Sequence, residues 1–216
     1  MSKLLILGAT GLVGAQLLRQ ALDDPRFERI VAPTRRPLAA SPRLLNPIVD
    51  FDHLPGDAPW WHADALVCAL GTTLAQAGSQ EAFRRVDHDY VLEAARNARR
   101  AGTCTFVLNS SLGADPSAGS FYLRVKGETE RDLGALQFDS LTLVRPSLLD
   151  GGPRPDSRPG EAVGLVFARL LRPVLPRRIR AVTTQRVAFA MLQAARAAKP
   201  GVQLIESDRL QDVQPL

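Results

Sequence analysis

Short apolar segments alternate along this chain with longer stretches whose apolar residues recur at helical spacing. The apolar segments lie at residues 4–7, 30–34, 48–51, 65–70, 103–108, 141–145 and 202–205. Several of them are almost continuously apolar, which is typical of strands in a sheet covered on both faces. Helical spacing is found at residues 12–22, 80–101, 121–136, 161–171 and 187–198. This alternation predicts an α/β fold, with a doubly wound parallel sheet of about seven strands and helices on both faces.

Length and composition predict one globular domain. The chain has 216 residues, of which 45% are hydrophobic and 23% are charged. This length is comfortable for one α/β domain and short for two. We therefore expect residues 1–216 to form a single domain, with small substrate-cap elements within about residues 147–185, around the Pro- and Gly-rich segment 151–160.

The basic charge of the chain does not by itself indicate a nucleic-acid-binding protein. The net charge is +5, yet aromatic residues make up only 6% of the sequence, and arginines such as Arg96 and Arg99 are scattered through helical stretches. A nucleic-acid site needs a concentrated basic face, preferably with stacking rings. We expect a solvated basic surface and no nucleic-acid partner.

The placement of cysteine and histidine argues against a metal site and against disulfides. Cys68 and Cys104 lie inside apolar runs, where a thiol behaves as a small hydrophobe, and the three histidines are dispersed. The first residues, MSKLLILGATG, run straight into a glycine motif and do not resemble a signal peptide. No segment reaches the roughly 18–20 continuous apolar residues of a membrane span. These observations predict a cytoplasmic protein with no metal and no membrane span.

A glycine motif directly follows the first predicted strand and opens the first predicted helix. Residues 8–14 read GATGLVG, with glycines at Gly8, Gly11 and Gly14. Glycines permit a tight turn and a close approach of backbone to a pyrophosphate, while the helix N-terminus offers free N–H groups and a positive dipole end. The motif in this position predicts a Rossmann-like, dinucleotide-binding turn.

The residues after the second predicted strand favour NADP(H) over NAD(H). An NAD-preferring site would carry Asp or Glu there to bind the ribose 2′-hydroxyl. This chain has Thr34, Arg35 and Arg36 and no carboxylate. Two guanidinium groups can hold a 2′-phosphate through charge-assisted hydrogen bonds. The alternative is that one or both arginines are merely solvated.

A tyrosine, a lysine and a serine pair form a candidate catalytic group. Tyr122 and Lys126 are four residues apart and share one face of a predicted helix. A nearby ammonium favours the ionised form of a phenol, which brings proton transfer into range. Ser110 and Ser111 end the fifth predicted strand, where a hydroxyl can hydrogen-bond a substrate carbonyl. The alternative is a tyrosine at a helix start and a surface lysine.

Together these motifs resemble the atypical branch of the short-chain dehydrogenase/reductase superfamily, and within it the Tat-interactive oxidoreductase-like group and its bacterial relatives. The resemblance covers nearly the whole chain. The segments that carry it are GATGLVG at 8–14, TRR at 34–36, ALGTTLAQAG at 69–78, FRRVDHDYVLEAA at 83–95, SSLGAD at 110–115, YLRVKGETE at 122–130 and LVRPSLL at 143–149.

The resemblance implies a role for each matching residue. Tyr122 would be the general acid/base, Lys126 would bind the nicotinamide ribose, and Ser111 would orient the carbonyl, with Ser110 as the alternative. The residues implied in cofactor binding are Gly8, Thr10, Gly11, Leu12 and Val13 at the pyrophosphate turn, Arg35 and Arg36 at the 2′-phosphate, Asp50 and Phe51 at the adenine, Leu70, Gly71 and Thr72 at the adenosine ribose, and Pro146 and Ser147 at the nicotinamide.

The resemblance also implies a function, an NADP(H)-dependent oxidoreductase that acts on an unknown carbonyl or alcohol. The region after the sixth predicted strand is short and bears no recognisable substrate motif, so the reaction stays open. Members of the branch are also suspected of regulatory roles, and the alternative is an NADPH-binding sensor without turnover. The expected partner is a small-molecule substrate, and the sequence leaves open a homodimer or a protein partner.

Overall fold

The computed structural model of the protein describes residues 3–150 and 176–215. Its strands are β1 (Lys3–Leu7), β2 (Arg29–Val31), β3 (Leu44–Leu45), β4 (Ala65–Cys68), β5 (Thr105–Asn109), β6 (Ser140–Arg145), β7 (Leu149–Asp150), β8 (Val182–Thr183) and β9 (Gly201–Glu206). Its helices are α1 (Leu12–Asp23), α2 (Leu74–Ala77), α3 (Gln80–Arg84), α4 (Tyr90–Arg100), α5 (Phe121–Gly134), α6 (Thr184–Ala197) and α7 (Ser207–Leu210). Short 3₁₀ turns cover Pro59–Trp61 and Arg177–Ile179, and a π-helical turn covers Arg85–Asp89.

Seven strands form one parallel sheet in the order β3-β2-β1-β4-β5-β6-β9. The chain winds outward from β1 through β2 and β3, and then returns to the other side of β1 at β4. In such sheets, a crevice opens at the carboxyl ends of the strands where the winding direction reverses, and ligands bind there. The predicted doubly wound fold is confirmed, and it makes the ends of β1 and β4 the place to look for a site.

Alternate residues of the central strands β1, β4, β5 and β6 face two separate apolar layers, whereas the edge strand β9 leaves Val202 and Leu204 exposed. In β1, Leu4 and Ile6 pack in the cluster that contains buried residues of α1 and α6. Leu5 and Leu7 pack in the opposite cluster, which contains buried residues of α4. All four leucine and isoleucine side chains are fully buried. The near-continuous apolar runs are explained by this cover on both faces, since successive side chains of a strand point to opposite sides.

The third strand lies earlier in the chain than the sequence predicts. We expected it around Ile48, whereas β3 is Leu44–Leu45 and Ile48 makes only one isolated bridge, to Thr34. Between the two points of pairing, Pro47 has no N–H to donate, and the Asn46 side chain donates to the backbone of the segment after β2. A side chain therefore replaces part of the strand ladder, which the apolar pattern does not reveal.

The stretch predicted as one helix over residues 80–101 is three segments. α3 ends at Arg84, the chain widens into the π-helical turn Arg85–Asp89, and α4 begins at Tyr90. Such turns occur within helices, often at functional sites. Here the turn faces Thr129 of α5, whose hydroxyl donates to the carbonyl oxygen of Asp87 over 3.1 Å.

Part of the predicted cap lies outside the described residues. β7 and β8 pair in parallel as a separate two-stranded sheet, within the range 147–185. The helix predicted at 161–171 and the loop predicted at 151–160 lie outside residues 3–150 and 176–215.

Helix α5 approaches the loop before it so closely that one of its positions requires glycine. A Cβ added to Gly127 would lie 2.5 Å from the Cα of Asp115 and closer still to the nitrogen of Pro116. The opposing atoms are backbone, and the Asp115 N–H is held by the carbonyl of Leu123 over 3.2 Å. This packing sets the distance between α5 and the loop that leaves β5.

We predict that Gly127→Ala lowers the free energy of unfolding by about 1–3 kcal/mol, because the added methyl group overpacks a rigid backbone contact. Urea denaturation measures the change. Gly134→Ala is the matched control in the same helix, since a Cβ at Gly134 meets nothing within 4 Å. The control is expected to be neutral or to stabilise by up to about 1 kcal/mol. Equal destabilisation by the two substitutions would contradict the packing argument.

Candidate functional site

The turn between β1 and α1 is packed so tightly that its glycines leave no room for side chains. Gly8 has a φ of +79°, and a Cβ added there would lie 2.5 Å from the carbonyl oxygen of Ala69, just beyond β4. A Cβ added to Gly14 would lie 3.0 Å from the Cα of Ala9 and closer still to the carbonyl of Gly8. Gly11 is the N-cap of α1 and offers no side chain to the N–H groups of the first turn. These N–H groups and the helix dipole can receive an anion.

The other residues predicted for this turn differ in exposure. Thr10 is exposed and Leu12 is half-buried. Val13 is only 4% exposed, and its side chain lies in the apolar layer beneath α1. Val13 can therefore offer a ligand only its backbone N–H.

Both predicted phosphate-binding arginines are exposed on a braced loop after β2. Thr34 Oγ1 donates to the carbonyl oxygen of Arg36 over 2.7 Å, and Asn46 Nδ2 donates to Thr34 Oγ1 over 2.8 Å. The N–H of Leu38 donates to Asn46 Oδ1 over 2.8 Å. No carboxylate in the part of the chain that the structure describes pairs with Arg35 or Arg36. Asn46, which the sequence analysis missed, thus holds both ends of a loop with two unpaired guanidinium groups.

The predicted adenine-side residues lie in a turn rather than at a strand end, since β3 ends earlier. Phe51 is 7% exposed, and its ring lies 5.8 Å from that of Tyr90. Asp50 is exposed and pairs with His53 Nδ1 over 3.0 Å. Burial and a hydrogen bond to Asp52 raise the pKa of Tyr90 to about 12, so this phenol stays protonated.

The segment after β4 lies against a buried carboxylate. The N–H of Thr72 donates to Asp87 Oδ2 over 2.8 Å. A Cβ added to Gly71 would lie 3.1 Å from Asp87 Oδ1 and 3.6 Å from Lys126 Nζ. Leu70 is half-buried against the apolar layer that contains α4. The predicted adenosine-side residues and the predicted lysine therefore meet at Asp87, which the sequence analysis did not identify as a site residue.

Lys126 is a buried cation with a buried counter-ion. Lys126 Nζ lies 2.7 Å from Asp87 Oδ1, and the two side chains are 7% and 1% exposed. Burial lowers the pKa of Lys126, but the attraction of its neighbours, first of all the Asp87 carboxylate, outweighs burial, and the net pKa is raised. Lys126 is therefore an ammonium. Burial raises the pKa of the neighbouring Cys68 thiol to about 12, which keeps it a neutral, apolar group.

Tyr122 lies one turn before Lys126 on α5 and is half-buried. Its ring packs 5.6 Å from that of Phe83 on α3. The two predicted serines differ: Ser110 is 4% exposed, and its hydroxyl has no partner among the described residues. Ser111 is half-buried, and in the described part of the chain its hydroxyl makes one long contact of 3.5 Å, to the carbonyl oxygen of Leu112. Of the pair, Ser111 is the more accessible.

The predicted nicotinamide-side residues follow β6. The carbonyl of Pro146 accepts from the N–H of Leu112 over 2.9 Å, which ties this segment to the serine loop. Ser147 Oγ donates to the carbonyl of Arg180, and Ser207 Oγ donates to Ser147 Oγ over 2.9 Å. The Ser147 hydroxyl is therefore engaged within the protein.

No helix within residues 3–150 and 176–215 has the length and apolarity needed to cross a membrane. No protein-family model matches the chain. Among solved structures, the chain is similar to MoeE5 in complex with UDP-glucuronic acid and NAD. The TM-score is 0.74 at 18% identity, and the alignment covers 94% of this chain and 75% of that chain. This likeness agrees with the predicted Rossmann-like fold.

Similar sequences contradict the predicted location. The protein fmp52, mitochondrial, of Emericella nidulans is 39% identical over 181 residues, covering 79% of this chain and 76% of that protein. Further fungal relatives are also named mitochondrial. The prediction of a cytoplasmic location is therefore wrong. It rested on reduced cysteines, which fit more than one reducing compartment.

A mammalian protein shows the same relationship. Protein HTATIP2 of Rattus norvegicus is 41% identical over 167 residues, covering 75% of this chain and 68% of that protein. The resemblance drawn from the sequence motifs is thus confirmed. This chain belongs to the family of Fmp52 and HTATIP2.

Proposed function

We propose that this protein is an NADP(H)-dependent oxidoreductase of the short-chain dehydrogenase/reductase type, acting on a carbonyl or alcohol substrate. One observation carries the proposal: the buried Lys126 ammonium, one turn from Tyr122, meets the segment after β4 at the carboxyl edge of the sheet. The glycine turn opens at the same edge. The similar fold of MoeE5, which was solved with NAD, supports this use of the edge.

The shape of the edge fits a dinucleotide. At Gly8 and Gly14, a Cβ would collide with neighbouring backbone, and at Gly71 it would crowd the buried ion pair. This packing holds the first turn of α1 close against the sheet, as in a dinucleotide-binding turn. The N–H groups at the start of α1 would hold the pyrophosphate. Phe51 and Leu70 would contact the adenosine, and Pro146 the nicotinamide.

The loop after β2 supports a preference for the 2′-phosphate. Arg35 and Arg36 have no carboxylate partner among the described residues, and an anionic phosphate would be repelled by the acidic residue of an NAD site. Asn46 and Thr34 brace the loop before any ligand arrives, so less ordering is needed when the phosphate binds.

The side chains on α5 support proton transfer. The bound cofactor would supply or accept a hydride at the substrate carbon. Tyr122 would give its proton to the carbonyl oxygen in reduction, or take it from the hydroxyl in oxidation. The Lys126 ammonium would stabilise the phenolate left behind. Ser111, the more accessible serine, would donate a hydrogen bond to the substrate oxygen.

We predict that Arg35→Ala/Arg36→Ala weakens NADPH binding by roughly 2 kcal/mol or more, since charge-assisted hydrogen bonds to the phosphate are lost. NADH binding should hardly change, because NADH has no 2′-phosphate. Isothermal titration calorimetry measures both affinities.

The control for this double variant is Arg26→Ala/Arg29→Ala, which removes the same charge from exposed positions at the opposite edge of the sheet. The control should bind NADPH like the wild type. Equal wild-type affinities for NADH and NADPH would overturn the phosphate preference, and the absence of any nucleotide binding would overturn the proposed function.

We predict that Tyr122→Phe abolishes most turnover in a carbonyl-substrate screen while NADPH affinity stays close to that of the wild type, because only the transferred proton is lost. Tyr90→Phe makes the same chemical change in the only other tyrosine of the chain and should retain turnover. Tight NADPH binding with no turnover of any substrate in the wild type would favour the alternative, a regulatory NADPH-binding protein.

A further inference from the structure

Asp87 is a fully buried carboxylate that faces two separate segments of the chain. It lies in the π-helical turn Arg85–Asp89, and its side chain is 1% exposed. Its Oδ1 lies 2.7 Å from Lys126 Nζ on α5. Its Oδ2 accepts from the N–H of Thr72, in the segment after β4, over 2.8 Å. Each oxygen of this carboxylate therefore holds a different side of the crevice.

The backbone of Asp87 also contacts α5. Thr129 Oγ1 lies 3.1 Å from the carbonyl oxygen of Asp87 and 2.8 Å from that of Val125, so its single hydroxyl proton is shared between two acceptors. Thr129 is fully buried. In a π-helical turn the regular hydrogen-bond pattern is interrupted, so an outside donor can satisfy a carbonyl there. The widened turn therefore meets α5 through its backbone, at Thr129, as well as through the Asp87 carboxylate.

The charge of Asp87 matters as well as its position. Within residues 3–150 and 176–215, three titratable groups face Lys126: Asp87 from the π-helical turn, Tyr122 from its own helix and Cys68 from β4. Cys68 is a neutral thiol, so Asp87 is the anion that offsets the buried ammonium. Without it, burial would act unopposed and lower the pKa of Lys126. The ammonium that donates to ribose hydroxyls and stabilises a phenolate would then hold its proton less tightly.

We propose that Asp87 is a positioning residue that joins the two halves of the cofactor site, by fixing the Gly71–Thr72 segment with one carboxylate oxygen and the Lys126 ammonium with the other. The inference rests on the proposed function, because it assigns the two segments to one dinucleotide. Gly71 fits the same account: a side chain there would crowd the ion pair. Asp87 acts through Lys126 and the Thr72 amide, without touching substrate.

Two substitutions separate the two roles of the carboxylate. Asp87→Asn keeps an oxygen that can accept from the Thr72 N–H but removes the charge. Asp87→Ala removes both. Asp89→Asn is the matched control in the same turn, because Asp89 is half-exposed and pairs with His88 rather than with Lys126.

The first readout is the pH titration of Lys126. It is measured by NMR of the lysine side chains in the protein without nucleotide. The chain has only three lysines, Lys3, Lys126 and Lys199, so Lys126→Arg assigns the signal, and the exposed Lys199 is an internal reference. In both Asp87 variants, Lys126 should lose its proton at a pH lower by about one unit or more. Asp89→Asn should leave the titration unchanged.

Amide exchange of Thr72 and calorimetric NADPH affinity complete the test. Thr72 exchange should accelerate in Asp87→Ala and stay slow in Asp87→Asn. NADPH affinity should fall about tenfold in Asp87→Asn and further in Asp87→Ala, and stay at the wild-type value in Asp89→Asn.

The outcomes distinguish this inference from the proposed function. A Lys126 titration unaffected by Asp87→Asn, or NADPH affinity unaffected by Asp87→Ala, would overturn the role of Asp87. If the wild type binds no nucleotide, the proposed function fails, and with it the cofactor part of the inference. Lys126 titration and Thr72 exchange would then still decide whether Asp87 holds both segments. If Asp87→Ala does not fold, Asp87→Asn alone tests the charge.

Discussion

The close backbone packing where β1, α1 and the end of β4 meet is the constraint on which the site depends. The Cα of Gly8 faces the carbonyl of Ala69, and Gly14 lies against Gly8, so α1 can begin directly above the sheet. Because the helix starts there, its N–H groups point into the crevice where the strand order reverses. Parallel strands buried on both faces then carry every neighbouring segment to that same edge.

Electrostatics adds a second constraint on the other side of the crevice. An ammonium as deeply buried as Lys126 needs an anion nearby, because desolvating an unpaired charge is costly. Asp87 supplies that anion from the π-helical turn, whose backbone contacts Thr129. The exposed guanidinium groups of Arg35 and Arg36 are the opposite case. They have no partner among the described residues, so they are available to a ligand.

Features with a local signal could be predicted from the sequence. Residues that are close together in the sequence were enough to predict the glycine turn, α1 and the strands with long apolar runs. The same is true of the exposed arginine pair after β2. The third strand was misplaced because the Asn46 side chain replaces part of the ladder there. The break before Tyr90 was missed because its partner, Thr129, is 42 residues away from Asp87 in the chain. Asp87 itself stands in a quoted motif, but its role depends on contacts to Thr72 and Lys126 that no spacing rule reveals.

The most direct measurement is a titration of ¹⁵N-labelled protein with NADPH, in which the amide chemical shifts are recorded at each NADPH concentration. The account predicts that Gly11, Arg36 and Thr72 shift together along one saturation curve, because a single dinucleotide spans the turn before α1, the loop after β2 and the segment after β4. Shifts confined to one of these segments, or located away from the carboxyl edge of the sheet, would contradict it.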